Sequence, residues 1–233
     1  MGYTNVLCPS SYQVGQDTLT YVSAMAPLTQ QINFLAAIRC GEVHPPMLAR
    51  TIATLDHILK GRLTINIISS DLPGNKLESS KRYARSREVI EILKQAWTKD
   101  EINFRGDFYN INLPSAPVKP FQQNGGPLLY FGGYSPDGVD LCAEHCDVYL
   151  MWPDTEDKLK ILISNMRAKA LIYNRTVQFG LRSHVIVRKT EQEAKDYADK
   201  LISNLDFEKG EDIKNRAQAV SYTHLRAHET IPD

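Results

Sequence analysis

Runs of apolar residues alternate along the chain with segments whose apolar positions recur at helical spacing, and this alternation predicts an α/β fold. Strands are predicted at "NVLCPS" (5–10), "INFLAAIR" (32–39), "LTINIISS" (63–70), "PLLYFGG" (127–133), "DVYLMWP" (147–153) and "FGLRSHVIVR" (179–188). Helices are predicted around 17–27, over 44–61, over 81–97, from Ser135, over 157–170 and from Glu191. The second of these carries Met47, Leu48, Ile52, Leu55, Ile58 and Leu59 as its apolar set and ends at Gly61. The segment "EINFRGDFYNINLP" (101–114) breaks the rhythm and reads as an inserted hairpin turning at Arg105–Gly106–Asp107.

Six strands separated by helices argue for a parallel sheet, either doubly wound and open or closed as a (β/α)8 barrel. The first strand lacks the G-x-G-x-x-G turn of a dinucleotide-binding doubly wound domain, which favours the barrel. A barrel strand packs one face on helices and turns the other to the lumen. Within "FGLRSHVIVR" that parity places Arg182 and His184 on one face, opposite Leu181, Val185 and Val187. An unpaired buried charge costs several kcal/mol, so the polar face must meet partners, water or a ligand. The same parity places Asn66, the lone amide of "TINIIS", in the lumen.

Composition narrows the partners. The chain has 233 residues, 42% hydrophobic and 23% charged, with 27 basic and 27 acidic side chains. That balance argues against nucleic acid or an anionic membrane and for a small-molecule or protein partner. No apolar run reaches the length of a membrane span, and the N-terminus lacks a signal-peptide pattern, so a cytoplasmic location is expected. Four scattered cysteines, Cys8, Cys40, Cys142 and Cys146, form no disulfide framework, and the helical pair Cys142 and Cys146 lacks further ligands for a metal.

In "YFGGYSPDG" (130–138), Ser135 can cap a helix, and Gly132–Gly133 would let an anion approach the backbone. A tight strand-to-helix connection explains the same glycines without a ligand. Among the remaining histidines, His57 suits a helix surface or packing, His145 a helix C-terminal cation and His44 a pre-proline loop.

The segments "FLAAIR", "ARTIATLDHILKGRLTINIISSDLP", "KRYARSREVIEILKQAW", "PLLYFGGYSPDGVDLCAEHCDVYLMW" and "FGLRSHVIVRKTEQEA" resemble the bacterial-luciferase-like flavin monooxygenases, closest to the alkanesulfonate monooxygenase branch. The resemblance implies a TIM barrel that takes reduced FMN from an NAD(P)H:flavin reductase and uses O2 to oxygenate its substrate. In that branch an alkanesulfonate is cleaved to an aldehyde and sulfite. It further implies that Arg182 and His184 act at the flavin and sulfonate site, and that Asn66 and Tyr83 line the flavin pocket. Gly132, Gly133 and Ser135 would hold the FMN phosphate, and Trp152 would border the substrate pocket. A homo-oligomer is expected from the resemblance, and related barrels use a deazaflavin (F420) in place of FMN. A catalytically silent flavin-binding or oligomerising barrel is the non-enzymatic alternative. Arg182 and His184 could instead pair with lumen carboxylates, Tyr83 could be packing, and Asn66 could satisfy backbone groups.

Family members have a strand and helix before "GYTNVL" and a strand after the last helix seen here, so an incomplete barrel of about six of eight strands is expected over residues 1–219. The branch's reactive cysteine falls near Gly15. Residues 220–233, "VSYTHLRAHETIPD", resemble translated adaptor sequence and are expected to be a non-native tail, including the i,i+4 pair His224 and His228.

Overall fold

The computed structural model describes residues 3–12, 16–203, 206 and 208–210. The expectations on Gly15, His224, His228 and the segment 220–233 fall outside them. Strand β1 (Asn5–Cys8) is followed by α1 (Thr18–Met25) with a 3-10 turn at Ala26–Leu28, β2 (Asn33–Arg39), α2 (Pro45–Leu59), β3 (Leu63–Ile68) and α3 (Ser79–Thr98). A hairpin of β4 (Glu101–Arg105) and β5 (Asn110–Pro114) precedes β6 (Leu129–Phe131), α4 (Pro136–His145), β7 (Val148–Met151), α5 (Glu156–Ile172), β8 (Gln178–Leu181) and α6 (Glu191–Ser203).

Six strands form one parallel sheet in the order β1-β2-β3-β6-β7-β8, and the hairpin stands apart as its own two-stranded sheet. Each crossover therefore returns to the adjacent strand, with none of the order reversal that marks a doubly wound sheet. The sheet also curls. Strands three steps apart in a flat sheet stand about 14 Å from each other, yet Asn5 on β1 donates from Nδ2 to the hydroxyl of Tyr130 on β6 at 3.2 Å. The architecture is thus a half-barrel of the TIM type.

Register divides the sheet into two faces. Phe34, Ile38, Ile65, Ile67 and Phe131 join the core formed with Ile52, Leu59, Val89 and Ile90 of the covering helices. On the opposite face, Asn66 is in register with Tyr130, Tyr130 with Val148, and Val148 with Gln178. Helix α2 buries Leu48, Ile52, Leu55 and Leu59, whereas Met47 and Ile58 of its expected apolar set are exposed on its far side. Lys60 ends the helix in the left-handed region at φ 53°, and Gly61 follows at φ 82°. The hairpin turn is pinned to α3 by Glu88, whose carboxylate accepts the backbone N–H groups of Asp107, Phe108 and Tyr109 at 2.7–3.0 Å.

The last strand departs from expectation. β8 ends at Leu181, so Arg182 and His184 lie in the connection after it and not within a buried strand. Strand β7 ends at Met151, and the ladder ends with the Arg182 N–H bond to the Met151 carbonyl at 2.8 Å. Val185, Ile186 and Val187 then gain no ladder partner among the described residues and are exposed. Their β-branched character favours extended backbone, but a strand needs a neighbour.

Histidine environments also differ from the pattern-based reading. His145 is the last residue of α4 but is only 7% exposed, and burial pushes its imidazole down to about 4, so it is neutral near pH 7 and not a C-terminal cation. His57 packs edge-on against Phe121 and meets the Lys119 carbonyl at 2.8 Å, and His44 precedes Pro45 as the N-cap residue of α2. All four cysteines are buried free thiols; burial raises Cys40 to about 12. Among the described residues no helix is long and apolar enough to cross a membrane.

Candidate functional site

The C-terminal ends of parallel strands share one end of the sheet, and active sites of barrel folds are built there. Three of the expected site residues meet at that end of β7 and β8. The Arg182 guanidinium lies over the Trp152 ring, 4.1 Å from its centroid, and the His184 ring is tilted against the same indole with centroids 6.2 Å apart. Partial burial lowers the Arg182 pKa from its ordinary value, which leaves it a cation at any physiological pH. Arg182 and His184 border a cavity of about 810 Å3 that continues along the lumen face past Leu150, Gly180, Tyr130 and Asn5. Its size is that of a cofactor or small-molecule site.

A second group forms where β6 runs into α4. The Ser135 hydroxyl caps α4 by accepting the Gly138 N–H at 3.2 Å, and it shares a 2.9 Å hydrogen bond with the Tyr83 hydroxyl of α3. Tyr83 also packs edge-on against Phe131. Gly132 and Gly133 lie between these contacts, and neither has positive φ. Their need for glycine is one of space: a Cβ on Gly132 would stand 2.9 Å from the Leu150 carbonyl oxygen, and one on Gly133 would stand 2.8 Å from the Phe131 ring. Gly132 is thus packed against β7 and Gly133 against the Phe131 ring of β6.

Two tyrosines outside the expected set join the groups. Tyr149 donates from its hydroxyl to the Gly133 carbonyl at 3.0 Å and packs edge-on against Tyr134, whose hydroxyl accepts the Trp152 N–H at 2.7 Å. Burial raises the Tyr134 pKa, partly offset by that N–H, and raises Tyr149 further, so both remain neutral phenols. Two arginines brace the neighbouring β3–α3 connection. Arg39 reaches Ser70 and the Asp71 carbonyl, and Arg82 reaches the Ser69 and Leu77 carbonyls. Neither was expected from the sequence, because both act on carbonyls of a loop whose path the pattern does not specify.

Asn66 stands apart from both groups, within β3 and beside Tyr130 on the lumen face. It is 7% exposed, and its Oδ1 has no hydrogen-bond partner among the described residues. Asn5 Oδ1 is likewise buried and unpartnered, although its Nδ2 binds Tyr130. Such orphaned acceptors are rare in native interiors and mark places where a donor is needed. Tyr130 and Asn5 escaped the sequence reading because only strand register shows that they share a face. Among the described residues, no group of three or more His, Cys, Asp or Glu side chains could hold a metal ion.

Known proteins are similar to this chain in sequence and in fold. A sulfoquinovose monooxygenase of Agrobacterium fabrum (strain C58 / ATCC 33970) is 59% identical over 218 residues, covering 93% of this chain and 57% of the relative. One from Novosphingobium aromaticivorans is 45% identical over 223 residues, covering 93% of this chain and 61% of the relative. The chain thus spans less than two thirds of the length of either. Among solved structures, a long-chain alkane monooxygenase superposes with a TM-score of 0.69 at 26% identity, covering 78% of this chain and 49% of the other. The family described as luciferase-like monooxygenase matches residues 1–232. With the half-barrel and its mouth in place, that match is decisive: the chain belongs to the luciferase-like monooxygenase family.

Proposed function

We propose that the protein is a reduced-flavin-dependent monooxygenase that desulfonates a sulfonated hexose, sulfoquinovose. The observation that carries the reading is the Arg182 guanidinium lying over the Trp152 ring, 4.1 Å from its centroid, beside His184 at the mouth of a lumen-facing cavity. A planar cation stacked on an aromatic face is partly stripped of water and suits a sulfonate oxygen pair. The alkanesulfonate expected from sequence narrows to a sulfonated sugar because the two relatives at 59% and 45% identity carry that substrate in their names.

The residues present fit a bound FMN. The unpartnered Asn66 Oδ1 would offer an acceptor for a ring N–H, and the Tyr83–Ser135 hydroxyl pair beside the start of α4 would offer its one remaining O–H to a phosphate oxygen. Reduced FMN, supplied by an NAD(P)H:flavin reductase, provides the two electrons that activate O2. Arg182 binds the sulfonate and fixes the carbon bearing it, Trp152 covers one side of that contact, and the His184 imidazole, tilted against the same indole, can donate or accept a hydrogen bond beside it. In the overall reaction the carbon–sulfur bond breaks. One atom of O2 becomes the aldehyde oxygen, the other leaves as water, and sulfur departs as hydrogen sulfite.

The test is sulfite release from sulfoquinovose under aerobic turnover with enzymatically reduced FMN, with an alkanesulfonate and reduced deazaflavin as comparisons. Sulfite from sulfoquinovose, cut about 100-fold or more in Arg182→Ala, is the expected result, since losing the cation that pairs with a bound, desolvated sulfonate costs about 2–5 kcal/mol. Flavin binding without sulfite, turnover with deazaflavin alone, or an Arg182→Ala protein of full activity each overturns the proposal.

A further inference from the structure

One peptide group at the mouth is gripped from both sides. The carbonyl of Met151 accepts the Arg182 N–H at 2.8 Å, and the N–H of the same peptide unit, belonging to Trp152, is donated to the Tyr134 hydroxyl at 2.7 Å. The peptide is planar and resonance-coupled, so a hydrogen bond made by its N–H strengthens its carbonyl as an acceptor and fixes its plane. That plane sets where the Trp152 side chain leaves the backbone, and the Arg182 guanidinium rests on the Trp152 ring.

Tyr134 is itself held. Its ring stands edge-on to Tyr149 at 87°, and Tyr149 is 1% exposed and tied to the Gly133 carbonyl. The clamp is therefore anchored in the core, although Tyr134 is 37% exposed and Trp152 is 42% exposed. A half-exposed tryptophan after the last residue of a strand has many rotamers open to it, and ordering it requires contacts such as these.

We infer that Tyr134 is a positioning residue for the Arg182–Trp152 stack, acting through the Met151–Trp152 peptide to hold the guanidinium at the orientation that receives an anionic substrate. The part concerning the stack stands on geometry alone; the part concerning the anion rests on the function proposed above. The Tyr134 hydroxyl accepts from Trp152 and does so as a neutral phenol, so the clamp is present across the physiological pH range.

Tyr134→Phe removes one oxygen and keeps the ring on Tyr149. The chain has two tryptophans, Trp97 and Trp152. Trp97 is buried far from the mouth against α2, where its Nε1 donates to the Ala49 carbonyl at 3.2 Å. In protein labelled with 5-fluorotryptophan, the Trp152 fluorine resonance is expected to shift and broaden in Tyr134→Phe while the Trp97 resonance is unchanged, which also reports that the variant is folded. Arg182→Ala is expected to move the same Trp152 resonance, and adding Tyr134→Phe to it should then change little. In turnover the variant should raise KM for the sulfonate about fivefold, the scale of one lost hydrogen bond, with a smaller change in kcat and no change in FMN affinity.

A Trp152 resonance identical in Tyr134→Phe and the unsubstituted protein overturns the inference, whatever the protein oxidises. A moved resonance with unaltered sulfonate KM refutes the link to substrate. Absence of sulfite from the unsubstituted protein counts against the proposed function, and the ligand-free fluorine spectra still decide whether the clamp exists.

Discussion

Acid should loosen this fold through one side chain, His145. The imidazole closes α4, is 7% exposed, and has an Nε2 with no hydrogen-bond partner among the described residues. Glu144 Oε2 lies 3.5 Å away without hydrogen-bond geometry. Burial is the main force lowering its pKa to about 4; the Glu144 carboxylate opposes it, and Lys94, Arg87 and Arg175 reinforce it. In the unfolded chain the imidazole titrates at about 6.5. Between those values the unfolded state binds a proton that the folded state refuses, so stability falls as pH falls. The contribution is intact above about 6.5 and fully lost below about 4. A gap of about 2.5 pH units at 1.36 kcal/mol each amounts to about 3 kcal/mol, a substantial share of a domain's stability.

The assay is urea unfolding from about pH 7 to about pH 4.5 for the unsubstituted protein and for His145→Gln, which keeps a polar side chain but cannot titrate. Carboxylates common to both cancel in the difference. Between about pH 6 and 4.5 the unsubstituted protein should lose about 1.4 kcal/mol per pH unit relative to the variant. Two curves that stay parallel through that range would refute the assignment of a buried neutral histidine.

Other expectations follow from single contacts. Glu88→Ala should lower stability by about 2 kcal/mol, because three backbone N–H groups of the hairpin turn lose a charged acceptor; a loss below about 0.5 kcal/mol in urea unfolding would show that solvent replaces it. Gly132→Ala should cost about 1–3 kcal/mol, since its Cβ would meet the Leu150 carbonyl at 2.9 Å. Gly74→Ala, with nothing within 4 Å but φ at 75°, should cost about 1 kcal/mol through backbone strain alone; equal and negligible losses at both sites would discredit the packing argument. Asp56 is fully buried and accepts both the backbone and side-chain N–H groups of Gln122, so Asp56→Ala should cost about 3 kcal/mol and raise proteolysis within 119–124; unchanged cleavage there would contradict it.

Local pattern determined a good deal of this protein. The continuous apolar runs of β2 and β3, the helical spacing of α2 and α3, the polar hairpin and the glycine turn before Ser135 are each carried by one continuous stretch, and such local pattern is a property of the chain itself. The sequence also offers Arg182 and His184 as a polar pair in an otherwise apolar segment, and the family resemblance offers Trp152; the structure brings the three together. Tertiary structure decided the rest. Strand β8 stops at Leu181 because the length of a ladder is set by the strand beside it, here only four residues long. Met47 and Ile58 are exposed because α2 is covered on one side only, and His145 is neutral because its surroundings, not its place at a helix end, set its solvation. Asn5 meets Tyr130, 125 positions away, because the sheet curls, and Tyr134 grips the peptide before Trp152 because β6 and β7 pair side by side. Periodicity is read over one element at a time, whereas register, burial and the clamp at the mouth arise between elements that the chain keeps far apart.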